Sequence, residues 1–188
     1  MKLNIYILSH PIIKIISNYI TENNSKKNID SYLLQEQKIL GFLIFYESMR
    51  KWLNIEKLYL QNIKSVQELY IFNPQKSYFL ITNFQQTYSM LEYIQQLIPQ
   101  IKIYHVEKNI NLNNELHNSI NEKTHIVIFE KFLEENNILN YIYFLNKNCK
   151  IMITQMTILC FTCHNKILDK IGQKYPTLNI YTAKIIYN

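Results

Sequence analysis

The chain has 188 residues, of which 48% are apolar and 18% are charged, and its formal net charge is +6. This composition suffices for a packed core and excludes a disordered chain, and no uncharged apolar stretch reaches the roughly 18 residues of a membrane span. Neither of its two glycines, Gly41 and Gly172, belongs to a Gly-rich loop, which excludes a P-loop, a G-x-G-x-x-G motif and a G-x-S-x-G elbow.

The first third of the chain predicts two helices followed by a hairpin. Pro11 suits the first turn of a helix whose apolar residues recur at helical spacing. Asp30 is a candidate N-cap of a second, largely buried helix that runs to about Leu53. The apolar period then shortens, and 57–63 and 68–72 predict two strands of a short β-arm.

From residue 78 onward, short apolar strands alternate with amphipathic helices. This alternation predicts an α/β fold, with a mostly parallel sheet covered by helices on both faces. Ser89 and Glu92 predict a capping box, and Gly172 predicts a helix C-cap. The predicted strands are 78–82, 101–106, 125–129, 150–160 and 178–186, the predicted helices are 89–98, 131–146 and 163–174, and 109–122 is a long polar stretch.

Ligands of such a sheet bind at the carboxyl ends of its strands. The loops to search for a site therefore follow Thr82, Val106, Phe129 and Phe161.

The histidines do not cluster with metal-ligand spacing, and we interpret His105 and His125 as hydrogen-bonded sheet residues. Glu130, Glu134 and Glu135 follow a predicted strand and could hold a divalent ion, but a solvated first helical turn is the preferred interpretation.

The segment 160–164 has the pattern C-x-x-C-H. It leaves three chemical interpretations open: covalent attachment of a c-type haem, a redox dithiol, and a zinc site that would need further ligands. No export signal precedes it, so we favour two reduced, half-buried residues where a strand gives way to a helix.

Two stretches of the sequence resemble the uracil phosphoribosyltransferase family. Residues 41–50 (GFLIFYESMR) resemble the family's G-x-L-L-x-Y-E-A-x-R, and 175–183 (YPTLNIYTA) resemble its H-P-x-[VIL]-x-[LIV]-Y-T-A. The order of the elements between them also fits. The resemblance implies a single domain of the type I phosphoribosyltransferase fold, with an N-terminal helical hood (1–53), a β-arm (57–73) and an α/β core (78–188).

The family transfers ribose 5-phosphate from phosphoribosyl diphosphate to uracil, giving UMP and diphosphate, and binds magnesium through the diphosphate. Its R-A-G run corresponds here to 85–87 (QQT), and a second diphosphate arginine to Lys108 and Asn109. Its phosphoribosyl loop, D-P-x-x-A-T-G-G-S, corresponds to 129–136 (FEKFLEEN). The uracil loop follows the Y-T-A strand in the family, whereas this sequence ends at Asn188, so we expect a C-terminally truncated homologue.

These departures fall on the residues that carry the chemistry. Each charge-assisted hydrogen bond contributes about 1.5–3 kcal/mol, so their loss removes on the order of 10 kcal/mol. We therefore expect a catalytically degenerate homologue without a catalytic residue or metal site, in which Lys108 and Glu130 are substrate-binding candidates by position alone. Two alternatives stay open: an active phosphoribosyltransferase with relocated ligands, and a nucleotide- or RNA-binding module on the same scaffold.

The composition also bears on origin and partners. The chain has 32 Ile, 23 Asn, 19 Lys, 15 Tyr and 9 Phe against one Arg, which indicates A/T-rich codons. With no signal peptide in the N-terminal segment, this predicts the stroma of a plastid. The same bias discounts the basic charge, so we expect neither a nucleic-acid nor a membrane partner. The resemblance implies a homodimer and, as a ligand, a small-molecule nucleotide precursor.

Overall fold

The structure, a computed structural model, describes residues 3–23, 31–62, 65–106, 120–121, 123–133 and 137–187. The strands are β1 (Asn4–Ile7), β2 (Ile55–Asn62), β3 (Ser65–Phe72), β4 (Ser77–Thr82), β5 (Lys102–His105), β6 (Thr124–Leu133), β7 (Met156–His164) and β8 (Asn179–Ile186). The helices are α1 (Pro11–Asn23), α2 (Ser31–Trp52), α3 (Phe84–Leu97), α4 (Asn137–Lys147) and α5 (Asn165–Lys174), and one 3-10 turn spans Ile153–Gln155.

Six of the strands form one sheet in the order β1–β8–β7–β6–β4–β5, and all of its neighbouring pairs are parallel. Alternate residues of each inner strand point to opposite faces. Leu80 packs in one core with α1, α2 and α3, whereas Phe79 and Ile81 pack in a second core with α4 and α5. The predicted α/β class, with helices on both faces of a parallel sheet, is confirmed.

The chain reverses its direction across the sheet once, next to β4. From β4 it crosses through α3 to β5 at the edge of the sheet. It then returns past β4 to β6 and proceeds through β7 to β8. The point between β4 and β6 is therefore the topological switch point, where open parallel sheets leave a crevice for ligands.

The predicted hairpin is confirmed, and it is longer than predicted. Strands β2 and β3 pair antiparallel from Ile55↔Phe72 to Asn62↔Ser65 and form a sheet of their own. An ion pair of 2.8 Å between Lys57 Nζ and Glu68 Oε1 joins the two strands. Most of their residues are exposed, so the arm projects from the core.

Helices α2 and α3 approach each other closely at Gly41. A Cβ atom added at this glycine would lie 2.7 Å from Met90 Cβ and 2.8 Å from the Met90 carbonyl oxygen. Beside this contact, Ser89 Oγ donates a 2.9 Å hydrogen bond to Oε1 of the buried Gln37. Gly41 therefore permits the packing of the two helices, which explains a glycine inside a buried helix.

Two predicted helix caps are wrong. Helix α3 begins at Phe84, where Asn83 is the N-cap, so Ser89 lies inside the helix and packs against α2. Gly172 lies inside α5 without a positive φ angle, and the C-cap of that helix is Tyr175. The predicted cap Asp30 lies outside the described residues.

The largest difference from prediction lies at the carboxyl ends of β6 and β7. Strand β6 continues to Leu133, where a helix from 131 was predicted, and α4 begins only at Asn137. Strand β7 likewise continues to His164, past the predicted helix start at 163. Beyond Phe129, β6 pairs with β7, and the end of β7 pairs with β6 and β8, and this pairing outweighs local helical preference.

Strand β1 was not predicted, and it pairs with β8 at the edge of the sheet.

Along the described residues, none of the helices is long and apolar enough to cross a membrane.

Candidate functional site at the carboxyl edge of the sheet

The switch point between β4 and β6 is closed by a buried hydroxyl network. Thr82 Oγ1 donates a 2.6 Å hydrogen bond to the Phe129 carbonyl, which joins the ends of the two strands. The same hydroxyl lies 2.7 Å from Thr87 Oγ1 of α3, and all three residues are buried. The hydroxyls of Thr82 and Thr87 thus join the ends of β4 and β6 to the first turn of α3.

The N-terminus of α3 follows this network, and its N–H groups already have acceptors within the protein. The Phe84 N–H donates to His105 Nδ1 at 3.1 Å, and the Gln85 N–H donates to Asn83 Oδ1 at 3.0 Å. The next two N–H groups, of residues 86 and 87, donate to the Asn83 carbonyl. A helix N-terminus binds an anion through such N–H groups. Here a phosphate group would have to replace protein acceptors.

Strand β6 includes 129–133, the described part of the segment 129–136 that corresponds to the family's phosphoribosyl loop. Its register with β7 pairs Glu130 with Cys160 and Leu133 with Cys163. In a strand, successive N–H groups point in opposite directions, whereas a phosphate cradle needs several of them directed at one point. The described main chain of β6 therefore does not form a phosphate cradle.

The two residues that the sequence assigns to substrate binding are not brought together. Glu130 is half-buried in β6, at the carboxyl edge of the sheet. Lys108 lies outside the described residues, as do Glu134 and Glu135. Lys131 follows Glu130 in β6, and its Nζ lies 5.3 Å from the centroid of the Phe132 ring. Burial lowers the pKa of this amine from its ordinary value.

The cysteine pair of the C-x-x-C-H pattern is fully buried in β7, and Cys160 and Cys163 each donate to a carbonyl of β8. A hydrogen bond with Cys163, together with burial, raises the pKa of the Cys160 thiol well above its ordinary value. A buried neutral thiol is a poor nucleophile and a poor metal ligand. The preference for reduced, structural cysteines agrees with this geometry, although both residues lie within the strand.

The histidines make the hydrogen bonds expected of sheet residues. His105 Nδ1 accepts from the Phe84 N–H, and its ring stacks on the Phe84 ring at 5.2 Å. His125 Nε2 lies 3.1 Å from Thr157 Oγ1. Among the described residues, no three His, Cys, Asp or Glu side chains could together hold a metal ion.

Sequence reasoning missed the residues that organise this edge, which are Thr82 and Asn83. A signal for Asn83 was present, because an Asn directly after a buried strand is a preferred helix N-cap. The hydrogen bond from Thr82 to Phe129 had no such signal, because it joins residues that are 47 positions apart.

Similar folds occur among solved structures. The AQ2163 protein of Aquifex aeolicus matches with a TM-score of 0.74 at 17% identity, over 98% of this chain and 88% of that one. Adenine phosphoribosyltransferase of Leishmania donovani matches with a TM-score of 0.55 at 10% identity, over 96% and 82% of the respective chains. No protein-family model matches the chain. Topology and neighbours define the fold as that of the type I phosphoribosyltransferases.

Sequence comparison defines the relationship more narrowly. A uracil phosphoribosyltransferase homologue of the red alga Porphyra purpurea is 29% identical over 185 residues, which cover 98% of this chain and 89% of the relative. The uracil phosphoribosyltransferase of Synechocystis is 23% identical over 192 residues, covering 98% and 88%. The chain is a divergent homologue of the uracil phosphoribosyltransferases, which confirms the resemblance found in the sequence.

Proposed function

We propose that this chain keeps the scaffold of the uracil phosphoribosyltransferases and does not transfer phosphoribosyl groups. The observation that carries the proposal is the continuous strand β6, which includes 129–133, the first five of the positions that correspond to the family's phosphoribosyl loop. The N–H groups at the start of α3 support it further, because all four already have protein acceptors.

The size of the missing interactions supports the same proposal. Phosphoribosyl diphosphate is highly anionic, and the family holds it through a backbone cradle and two arginines. Charge-assisted hydrogen bonds contribute about 1.5–3 kcal/mol each, so several of them amount to about 10 kcal/mol. A loss of this size corresponds to about seven orders of magnitude in rate.

Calorimetric titration with phosphoribosyl diphosphate and magnesium, with and without uracil, tests the proposal. The protein should come from a host that lacks its own uracil phosphoribosyltransferase, because trace contamination would produce UMP. We expect no UMP, and this product assay decides the test because the heat of titration does not report where the ligand binds. UMP formation that Glu130→Gln abolishes would contradict the proposal, since it would assign the activity to this chain.

A second candidate function is an active phosphoribosyltransferase, in pyrimidine salvage, with relocated ligands. The observation that favours it is Lys131, a half-buried amine next to Glu130 at the edge where the diphosphate would bind. Lys108, which corresponds in sequence to the family's second diphosphate arginine, would supply a second positive charge for the diphosphate. This function predicts that the same assay gives UMP. The rate of UMP formation should fall in Lys131→Gln, whereas Lys147→Gln on the surface of α4 should leave it unchanged.

We further propose that the chain forms a homodimer through the β-arm. Large apolar side chains of the arm are exposed, among them Tyr59 (62%), Val66 (61%) and Tyr70 (69%). Exposed apolar area of this kind is a liability unless a partner covers it. Sedimentation equilibrium should give a dimer that Val66→Lys converts to a monomer. A wild-type monomer at high micromolar concentration would contradict this proposal.

The stroma of a plastid is the proposed location. The A/T-rich residue usage and the red algal and cyanobacterial relatives support it. Immunodetection in fractionated cells of the source organism tests it, and a signal confined to a fraction without plastids would contradict it.

A further inference from the structure

A cavity of about 560 Å³ lies at the amino ends of β6, β7 and β8, on the edge of the sheet opposite to the candidate site. The end of α2 and the turn before β4 complete its wall. Its volume lies within the range of about 300–1,000 Å³ that is typical of small-molecule sites. Its principal side chains are Lys51, Trp52, Lys76, Lys123 and His125.

The charge in this cavity has one sign. Three lysines line it, and none of the described residues in its wall is acidic. Lys123 Nζ donates to Gln75 Oε1 at 2.8 Å, an uncharged acceptor that leaves the lysine charge in place. The carboxyl end of α2 adds only about half a negative elementary charge. The lysines therefore dominate, and the cavity favours an anion.

The positive charge of Lys76 acts on His125 inside the cavity. Burial, and then the positive charge of Lys76, lower the pKa of His125 to about 4. His125 is therefore neutral at pH 7, and its ring stacks on the Trp52 indole with centroids 4.8 Å apart and planes 12° from parallel. This stack holds the indole in a fixed orientation.

Trp52 supplies a hydrogen-bond donor without an acceptor. Its side chain is buried, with 7% exposed, and its Nε1–H has no hydrogen-bond partner among the described residues. A buried donor of this kind is unfavourable until an acceptor reaches it. The indole lines the same cavity as the three lysines, but its Nε1 is enclosed, so an acceptor on a ligand reaches it only if the side chains around it shift.

We propose that this cavity binds a small molecule that bears phosphate groups. Phosphate oxygens are acceptors only, and they match a wall that is lined by three lysines and no described acidic residue. A nucleotide and a free oligophosphate share this chemistry. The site is distinct from the carboxyl edge, so it does not depend on whether phosphoribosyl transfer takes place.

Trp52 is the single tryptophan of the chain, so intrinsic fluorescence reports on this cavity. Wild-type protein is titrated with tripolyphosphate, with UTP and with sulfate at constant ionic strength. We expect a saturable change in fluorescence with tripolyphosphate or UTP and none with sulfate. Tighter binding of UTP identifies a nucleotide site, and equal binding identifies an oligophosphate site; both support the proposal.

A matched pair of variants distinguishes binding in this cavity from nonspecific electrostatic attraction between the anion and the basic protein. Lys76→Gln should weaken binding about tenfold or more, because it removes a charge-assisted contact. Lys166→Gln removes the same charge from the exposed surface of α5 and should change affinity by less than about twofold. Equal weakening by both variants, an equal response to sulfate, or no response to either polyphosphate at millimolar concentration would overturn the proposal.

Discussion

The close contact at Gly41 predicts that replacing this glycine by alanine lowers the stability of the protein, whereas the same replacement at Gly172 should not. Gly41→Ala would place a Cβ atom 2.7 Å from Met90 Cβ and 2.8 Å from the Met90 carbonyl oxygen. Neither atom can rotate away, because one is fixed to the α3 backbone and the other belongs to it. At Gly172, the added Cβ would meet Leu3 Cβ at 3.4 Å, which is an ordinary contact.

The magnitudes follow from two opposing effects. Replacing a helical Gly by Ala stabilises a helix by up to about 1 kcal/mol. At Gly41 the contact is about 1 Å shorter than the favourable carbon–carbon separation of about 3.5–4.0 Å, and overpacking of this kind costs about 1–3 kcal/mol. We expect Gly41→Ala to be destabilising by about 1–2 kcal/mol, and Gly172→Ala to be neutral or stabilising by up to about 1 kcal/mol.

Thermal unfolding of the two variants beside wild type measures the difference. A change of 1 kcal/mol shifts Tm by about 2–4 °C for a chain of this size, so Gly41→Ala should lower Tm by about 2–8 °C. Gly172→Ala should leave Tm unchanged or raise it by up to about 4 °C. A higher Tm for Gly41→Ala would refute the close approach of α2 and α3 that the argument requires.

Three further predictions concern buried polar groups. His125 is neutral in the fold, with a pKa of about 4 against an ordinary 6.5, so the unfolded chain gains a proton first as the pH falls. Stability should therefore decrease by roughly 3 kcal/mol at most between pH 6.5 and pH 4, and urea unfolding of His125→Gln should show a smaller decrease. A thiol reagent should modify only Cys149 in the native protein, and slowly, because burial raises the pKa of this thiol; rapid modification of all three cysteines would contradict the burial of the other two. Thr82→Val removes the hydrogen bond to the Phe129 carbonyl and should lower the free energy of unfolding by about 1–3 kcal/mol, so an unchanged urea midpoint would show that the network is not needed.

The parts of the fold that the sequence predicts are those with a strong local pattern. The short, continuous apolar run at 78–82 predicts a buried strand, and it forms β4. The long apolar helix before residue 53 forms α2, and the shortened period after it forms the β-arm. In each of these segments, the residues that decide the structure are neighbours in sequence.

The parts that the sequence misses depend on partners far along the chain. The run Glu130–Leu133 contains two charged residues and resembles the first turn of a helix, yet it stays extended because β7 pairs with it. Strand β1 is short and exposed, and only its pairing with β8 makes it a strand. The candidate site was missed for the same reason, because the Thr82 hydroxyl donates its hydrogen bond to a carbonyl of another strand.

The amino-edge cavity shows a different limit of sequence reasoning. Its lysines come from the end of α2, the turn before β4 and the residue before β6. In a chain rich in lysine, no local pattern distinguishes these three from the rest.

The pairing of β1 with β8 has a consequence for biosynthesis. Asn4 lies opposite Asn179 in register, and their side chains share a hydrogen bond across 175 positions of sequence. At about 5–20 residues per second, a ribosome needs roughly 10–35 s to span that interval. During this time the nascent chain carries an apolar strand whose partner does not yet exist. The edge of the sheet therefore cannot form until β8 has been synthesised, and a chaperone that shields the first strand would find its substrate on the ribosome.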